Sequence, residues 1–302
     1  MRVIKLVSGG IDSSIMALSI PGRNVYIDFG QRYAKQEKDA LARMGIPYDE
    51  INISGGQMIG ENIYIPDRNL TMASICATLY NPDKILMAGL KDDNCIDKTR
   101  VEFELMTALI SRYAGKKIAI ESPYWELTKG EIVHLFKDKQ ILKDTFSCYS
   151  PLKDGTPCGN CPACLRRTIA LETNGINSGV LLKDSIIREY LGKIHTYDKD
   201  RISRFFFYLQ IHGGVRAIDI DGVLCEESGK FEDRAKIASI KRDARYKWTV
   251  LYTSRLDIDR EITEKWLREN EIKYDALITH KLPYNLLYDD RATNKYNYVL
   301  YQ

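Results

Sequence analysis

A turn rich in glycine and serine near the start of the chain has the composition of an anion-binding loop. It reads Ser-Gly-Gly-Ile-Asp-Ser-Ser over residues 8–14, between an apolar run that predicts a strand and a segment that predicts a helix. At such a junction, unpaired backbone N–H groups and the positive end of the helix dipole point to one place, so we expect a phosphate chain to bind there. The kinase-type ending Gly-Lys-[Ser/Thr] is missing. A plain serine-rich turn with Asp12 as a helix cap is the alternative.

A cluster of cysteines in the middle of the chain predicts a metal site. Thiols grouped in a reducing compartment usually hold a metal, and a closed tetrahedron of four sulfurs suits a structural Zn²⁺ ion. Redox or iron–sulfur use of the same spacing is the alternative. The clustered residues are Cys148, Cys158, Cys161 and Cys164, whereas Cys76, Cys95 and Cys225 stand alone and are interpreted as ordinary packing residues.

Paired carboxylates near residue 220 are the third candidate. Asp219 and Asp221 close an apolar run, and side chains two residues apart in a strand lie on the same side of it. One carboxylate there can act as a nucleophile and the other as a general acid or base. The pattern is weak alone, but it is followed in order by Thr253 after a second apolar run, by Lys281, and by Asp289 and Asp290 after a third.

Composition favours a soluble protein with a small-molecule site. The 44 basic and 41 acidic residues give a net charge of +3 without a long basic run, which does not favour a nucleic-acid partner. The start of the chain reaches glycine too early for a signal peptide, and no stretch has the ~18 apolar residues of a membrane span. We therefore expect a cytoplasmic protein without a membrane partner.

Alternating strands and helices must position the first two sites. This rhythm predicts an α/β fold, with a doubly wound parallel sheet whose ligands bind at the carboxyl ends of the strands. The expected strands are 3–7, 24–29, 48–53, 85–88 and 117–121, and the expected helices are 13–19, 33–44, 70–79, 102–113, 131–137, 165–173, 185–191 and 201–211.

A second rhythm of the same kind begins after the glycine pair at residues 213–214. It predicts strands at 215–220, 248–252, 276–278 and 286–288, with helices at 232–246 and 259–270. With 302 residues the chain is long enough for two domains. We predict one domain at residues 1–212, with the zinc-binding segment at 148–164, and a smaller Rossmann-like domain at residues 213–302.

The N-terminal loop resembles the signature of the PP-loop ATP pyrophosphatases, which split ATP between its α and β phosphates. Within that group, residues 1 to about 172 resemble the QueC family, the 7-cyano-7-deazaguanine synthases. The segments that carry this resemblance are 28–32 (Asp-Phe-Gly-Gln-Arg), 65–69 (Ile-Pro-Asp-Arg-Asn), 89–93 (Gly-Leu-Lys-Asp-Asp) with Arg100 and Phe103, 126–132 (Glu-Leu-Thr-Lys-Gly-Glu-Ile) and the four cysteines.

The resemblance implies a reaction and a set of site residues. ATP would adenylate 7-carboxy-7-deazaguanine with release of pyrophosphate, ammonia would give the amide, and a second activation would give the nitrile with release of AMP. Zn²⁺ would be held by the cysteines and would pin a loop over the site, and Mg²⁺ would accompany ATP. The predicted ATP and pyrophosphate residues are Ser8, Gly9, Gly10, Asp12, Ser13, Ser14 and Lys129, and the predicted substrate residues are Arg68, Asn69, Asp92, Asp93 and Arg100.

One segment departs from the pattern of that family. Where the family has tyrosine-proline-aspartate-cysteine-arginine, this chain has Ile-Asp-Lys-Thr-Arg at residues 96–100. A variant that stops at the amide, or that transfers the activated acid to another amine such as one on a protein, is therefore an alternative. A non-catalytic deazapurine- or nucleotide-binding module, a thiolating enzyme and a homodimer are further alternatives.

The C-terminal set of residues resembles the haloacid dehalogenase superfamily of phosphatases. The resemblance implies that Asp219 attacks phosphorus, Asp221 protonates the leaving group, and Thr253 and Lys281 hold phosphoryl oxygens. The Mg²⁺ ligands would be Asp219, Asp221, Asp289 and Asp290. About 90 residues leave no room for a cap domain, and the alternative is a domain of the same fold without catalysis.

Overall fold

The computed structural model describes residues 1–53, 67–93, 95–226, 230–236, 238, 240 and 245–279. They belong to two compact units, Met1–Ile186 and a second unit that starts at Ile187. The boundary between the units therefore falls within the helix Asp184–Gly192. The assignment of separate activities to residues 1–212 and 213–302 stays a prediction.

A five-stranded parallel sheet forms the first unit, as the alternating pattern predicts. The spatial order of its strands is β3-β2-β1-β4-β5, and every neighbouring pair is parallel. The chain order therefore reverses beside β1, which creates a crevice at the carboxyl ends of the central strands. The strands are β1 (Val3–Leu6), β2 (Arg23–Asp28), β3 (Asp49–Asn52), β4 (Lys84–Leu86) and β5 (Ala119–Glu121).

Helices cover both faces of this sheet, because successive side chains of a strand point to opposite faces. Ile4 and Leu6 of β1 pack into one core with the buried residues of α3 and α4. Leu86 of β4 packs into another core with residues of α1, α5 and α6. The helices of this unit are α1 (Ile11–Ser19), α2 (Ala34–Arg43), α3 (Arg68–Tyr80), α4 (Arg100–Ala114), α5 (Lys129–Leu135) and α6 (Pro162–Glu172), and α7 (Asp184–Gly192) follows.

Within its described residues, the second unit has a three-stranded parallel sheet in the order β6-β7-β8. Its core contains Leu251 and Leu277 from the sheet and Trp266 and Leu267 from the following helix. Its strands are β6 (Val215–Asp219), β7 (Trp248–Tyr252) and β8 (Ala276–Ile278), and its helices are α8 (Lys199–Ile211) and α9 (Arg260–Glu269). The mixed α/β class with parallel sheets is thus confirmed for both units, whereas the haloacid dehalogenase relationship of the second unit stays a prediction.

The helix predicted at 232–246 is wrong in the part that the structure describes. Only Phe231–Asp233 forms a single 3₁₀ turn there. Lys236 instead makes an antiparallel bridge to Cys225, the Glu226 N–H donates to the Ala235 carbonyl, and the Trp266 indole donates to the Arg234 carbonyl. Tertiary pairing overrides the helix propensity of the segment here.

Some predicted features lie outside the described residues. They are Ile65 and Pro66, Lys281, Asp289 and Asp290, and the strand at 286–288. Among the helices that the structure does describe, none combines the length and the apolar character needed to cross a membrane.

Candidate active site

The glycine-serine loop leaves the first turn of α1 open to a ligand. Gly10 occupies the N-cap position and supplies no side-chain cap. Gly9 has φ of +68°, and a Cβ atom there would lie 2.6 Å from the Glu37 carbonyl oxygen of α2. Only glycine fits that close approach in a left-handed backbone. The N–H groups of the first helical turn therefore point to the carboxyl edge of the sheet, as an anion site requires.

Serine hydroxyls shape the same loop. The Ser8 N–H donates to Ser13 Oγ at 3.1 Å, and the two serine hydroxyls lie 3.2 Å apart. Ser14 Oγ is buried and has no hydrogen-bond partner within the described part of the chain. Since a buried hydroxyl is normally paired, this donor fits a site that takes an oxygen-rich ligand.

Alternating charges extend from the loop to the neighbouring strand ends. Lys129 Nζ binds both carboxylate oxygens of Asp12 at 2.5 Å. The Lys129 N–H donates to Asp92 Oδ1 at 3.1 Å, and Arg166 contacts both Asp92 and Asp93, with its Nη1 2.8 Å from Asp93 Oδ1. Lys98 Nζ lies 3.6 Å from Asp93 Oδ2. Residues from four separate segments thus form one continuous network of three cations and three carboxylates.

Electrostatics keep this network ionised. Burial alone would raise the pKa of the Asp93 carboxyl, but Lys98, Arg166 and Lys129 hold that pKa well below its usual range. Burial also opposes the charge of Arg166, yet the two aspartates raise its pKa. Arg166 is therefore charged at neutral pH, and an entering phosphate group would compete with the carboxylates for the cations of the network.

Local caps explain the positions of these residues. Lys129 is the first residue of α5, where Thr128 and Glu131 form a reciprocal capping box. Asp92 and Asp93 follow β4, and the Leu90 N–H donates to the Asp93 carboxylate. Arg166 and Lys98 were not among the residues predicted for the site, because their proximity arises from a helix and a 3₁₀ turn far apart in the sequence.

The predicted substrate residues fall into two groups. Asn69 is buried and donates to the backbone and side chain of Asp97, at 3.0 and 2.9 Å. Arg68 hydrogen-bonds Tyr33 and lies in the electric field of Glu37. Arg100 pairs with Glu126, with both side chains more than half exposed. The structure thus ties Asn69 to the 3₁₀ turn that carries Lys98, while Arg100 lies on the surface.

A half-buried carboxylate that the sequence did not single out lies behind the loop. Glu37 accepts hydrogen bonds from Tyr26 at 2.8 Å and from Gln31 at 2.9 Å. Burial raises the pKa of Glu37 to about 7, and those hydrogen bonds and Arg68 oppose the shift only in part. Its position in the amphipathic helix α2 could have been found from the pattern, but its burial could not.

The four clustered cysteines converge as the spacing predicts. Their Sγ atoms all lie within 4.8 Å of one another, close to the ~3.8 Å sulfur separation of a tetrahedron with ~2.3 Å zinc–sulfur bonds. Backbone N–H groups of Ser150 and Cys158 point at Cys148 Sγ, both at 3.3 Å, and that of Cys164 points at Cys161 Sγ at 3.4 Å. Hydrogen bonds from the Cys148 and Cys164 thiols lower the pKa of Cys161 well below its usual range. This donor set fits a Zn²⁺ ion.

The cysteine knuckle is joined to the anion loop through a short backbone path. The Phe146 N–H, two residues before Cys148, donates to the Gly9 carbonyl at 2.8 Å. Arg167 in α6 is buried and donates to the carbonyls of Lys143 and Ser178, at 2.7 and 2.9 Å. The segment before the knuckle is therefore fixed at Lys143 by Arg167 and at Phe146 by the loop itself.

In the second unit, Asp221 is the centre of the described contacts. Thr253 Oγ1 donates to Asp221 Oδ2 at 3.1 Å, and Arg234 Nη1 donates to Asp221 Oδ1 at 2.7 Å. Arg255 forms a further ion pair with the same carboxylate. Burial alone would raise the pKa of Asp221, but Arg255, Thr253 and Arg234 lower it. Asp219 ends β6 and its carboxylate accepts from the Ile220 N–H at 2.8 Å.

The N-terminal part of the chain is similar in sequence to a known protein family. Residues 46–175 match the family described as "Queuosine biosynthesis protein QueC". The 7-cyano-7-deazaguanine synthase of Rickettsia prowazekii is 26% identical over 223 residues, which are 59% of this chain and 98% of that protein. The enzyme of the same name from Novosphingobium aromaticivorans is 29% identical over 215 residues, 58% of this chain and 92% of that protein.

The QueC family model and the 7-cyano-7-deazaguanine synthases thus match the N-terminal part of this chain. Among solved structures, the UDP-GlcNAc 2-epimerase from Neisseria meningitidis has a TM-score of 0.26 and 11% identity and covers 93% of this chain and 73% of that one. This likeness is too weak to carry any conclusion.

We expect the purified protein to contain one Zn²⁺ ion per chain, measured by mass spectrometry of the metal. Cys158→Ser should lose most of the zinc and should lower the thermal unfolding temperature, because the remaining thiols can no longer close the tetrahedron. Cys95→Ser is the matched control, since Cys95 is exposed and outside the cluster. Full zinc content in the Cys158 variant would exclude the four-cysteine site.

Proposed function

We propose that the N-terminal domain activates the carboxylate of 7-carboxy-7-deazaguanine with ATP. The observation that carries this proposal is the open first turn of α1 next to the Asp12–Lys129 pair, at the carboxyl edge of a parallel sheet. Relatives named 7-cyano-7-deazaguanine synthase over the same residues support the choice of substrate.

The first step is attack of a substrate carboxylate oxygen on the α-phosphorus of Mg-ATP. The bond to the β-phosphate oxygen breaks, and pyrophosphate leaves with the bond's electron pair. The backbone N–H groups at residues 9–13, with the hydroxyls of Ser8, Ser13 and Ser14, bind that pyrophosphate. Lys129 moves from Asp12 toward the α-phosphate and neutralises the charge that develops there, while Asp12 faces the Mg²⁺ that ATP brings.

Ammonia then attacks the carbonyl carbon of the acyl-adenylate, and AMP leaves to give the amide. For the nitrile, the amide oxygen is adenylated in a second cycle, and loss of AMP and of the nitrogen protons forms the carbon–nitrogen triple bond. The carboxylate must be held throughout, and Arg68 offers a planar fork for it. Asn69 supports the same pocket, and Asp92, Asp93 and Arg100 are the remaining substrate residues of the proposal.

Two alternatives use the same first step. The chain differs from the family pattern at residues 96–100, and Asn69 binds Asp97 within that segment. A changed substrate pocket there favours an enzyme that stops at the amide, or that gives the acyl group to another amine such as one on a protein.

A binding module without catalysis is a different class of function, and it predicts ligand uptake without release of AMP. A homodimer is compatible with each alternative.

Incubation with Mg-ATP, 7-carboxy-7-deazaguanine and ammonium should release AMP and pyrophosphate only when the carboxylate is present. Lys129→Gln should lower kcat for AMP formation by about 100-fold, because a cation is removed from the developing charge. Lys84→Gln is the matched control, since Lys84 pairs with Glu121 between adjacent strands of the sheet. Product mass separates nitrile, amide and conjugate. An unchanged carboxylate with the wild-type protein would contradict the proposal.

We further propose a Mg²⁺-dependent phosphatase activity for the second unit. Asp221 and Thr253 stand at the ends of neighbouring parallel strands and are hydrogen-bonded, which is the placement that the haloacid dehalogenase resemblance implies. Asp219 would attack phosphorus and release the alcohol, which Asp221 would protonate, and water would then hydrolyse the aspartyl phosphate. Lys281, Asp289 and Asp290 complete the proposed site.

Hydrolysis of a generic aryl phosphate ester with Mg²⁺ tests this second activity. Asp219→Asn should lower the rate by at least 100-fold, because the amide is a poor nucleophile. Asp200→Asn on the exposed side of α8 should keep the wild-type rate, and circular dichroism should show both variants folded. Equal rates in the Asp219 variant and the wild type would eliminate the nucleophile assignment.

A further inference from the structure

Lys98 belongs to the charge network, but the proposed mechanism gives it no role. It is the last residue of a 3₁₀ turn, Ile96–Lys98. Asn69 of α3 fixes this turn through two hydrogen bonds to Asp97. The Lys98 carbonyl oxygen lies 3.4 Å from the point where a Gly89 Cβ atom would stand. The turn is thus packed against both α3 and the end of β4, and the Lys98 side chain starts from a fixed backbone.

The side chain ends beside the charge network but is its least tightly bound cation. Lys98 Nζ lies 3.6 Å from Asp93 Oδ2, beyond the usual range of a direct hydrogen bond. Arg166 Nη1 is 2.8 Å from the other oxygen of the same carboxylate. Arg166 therefore forms the close hydrogen-bonded pair with Asp93, whereas Lys98 lowers the pKa of that carboxyl through its charge at a longer distance. The Lys98 ammonium is thus less tightly held than the Arg166 guanidinium.

Exposure and charge both indicate a binding role. The Lys98 side chain is 27% exposed, whereas that of Asp93 is 2% exposed, so the lysine side chain is the more accessible of the two. Burial lowers the pKa of Lys98, but Asp93 and Asp12 raise it overall, against Arg166 and Arg68. The groups that act on this ammonium therefore come from the anion loop, the end of β4, α6 and the start of α3. Lys98 lies among the residues proposed for pyrophosphate and those proposed for the carboxylate.

We propose that the Lys98 ammonium binds the anionic oxygens at the junction where the substrate carboxylate joins the α-phosphate. This assignment rests on the proposed adenylation. Two lysines would then bind the anionic oxygens from different sides. Lys129, paired with Asp12, lies on the α1 side of the junction, and Lys98, paired with Asp93, lies on the α3 side. Both cations face charge that builds up on the α-phosphoryl oxygens during transfer, where fixed positive groups have their largest effect.

Lys98→Gln, Lys98→Arg and the control Lys116→Gln test this assignment with two readouts. Lys116 pairs with Asp83, and the two residues precede β5 and β4. They therefore lie at the amino ends of these strands, opposite the charge network. The first readout is carboxylate-dependent AMP formation, with kcat and both KM values. The second is the Kd for AMP alone, measured by calorimetry, which needs no turnover. Thermal unfolding confirms that each variant is folded.

Loss of one charge-assisted hydrogen bond corresponds to about a 10- to 100-fold effect. We expect Lys98→Gln to lower kcat by at least tenfold, Lys98→Arg to restore most of it, and Lys116→Gln to match the wild type. A weaker Kd for AMP places the contact on the phosphate, and a raised KM for the carboxylate alone places it on the acyl oxygens. Either pattern supports the assignment.

The assignment is overturned if folded Lys98→Gln stays within twofold of the wild type in both readouts, or if Lys98→Arg is as impaired as Lys98→Gln. If the wild-type protein forms no AMP, the adenylation proposal fails, and the Kd for AMP alone then decides on Lys98. If Lys98→Gln does not fold, Lys98→Met takes its place in both readouts, because it removes the charge and keeps an unbranched side chain of similar length.

Discussion

The first turn of α1 begins without a side-chain cap, and neighbouring elements of the first unit hold the loop before it in place. A helix that begins without a side-chain cap leaves its N–H groups unsatisfied, which is costly unless a ligand or water takes them. Gly10 provides no cap, and Gly9 lets α2 approach so closely that any Cβ atom would clash with the Glu37 carbonyl. Gly9 is thus packed tightly against α2, whereas the N–H groups of the first turn of α1 have no side-chain cap. This arrangement favours a preformed anion site.

Two supports keep the loop in this state. On one side, the Phe146 N–H donates a hydrogen bond to the Gly9 carbonyl oxygen. The cysteine knuckle begins two residues later, at Cys148. On the other side, Lys129 holds Asp12 at the first turn of α1. Since a bound metal would fix Cys148 and the start of α6 together, its binding energy would stabilise the loop through the backbone rather than through contact with the ligand. On the proposed function, a closed four-sulfur site would support the loop without taking part in the chemistry.

The sequence revealed the parts of the site that depend on local order. A glycine-serine turn between a strand and a helix, four cysteines at close spacing and an aspartate pair at a strand end are all short-range patterns, and each lies at the predicted place on its element. The strands and helices of the first unit follow the predicted alternation, because apolar runs and amphipathic periods are local as well.

The rest of the site depends on contacts between distant segments. Arg166 and Lys98 reach the same carboxylate from positions 68 residues apart in the numbering, and no local pattern distinguishes them from surface cations. Glu37 becomes an acid with a raised pKa only because α2 brings it against Tyr26 and Gln31. The segment after residue 231 has helical propensity but pairs with Cys225 through Lys236 instead. Propensity is a weak guide where a long-range partner competes.

A structure of the protein with Mg-ATP bound would show where the phosphates lie. We expect the β- and γ-phosphates against the backbone N–H groups of residues 9–13, with Lys129 moved from Asp12 toward the α-phosphate. Phosphates bound elsewhere, with the first turn of α1 unoccupied and the Asp12–Lys129 pair intact, would contradict this expectation.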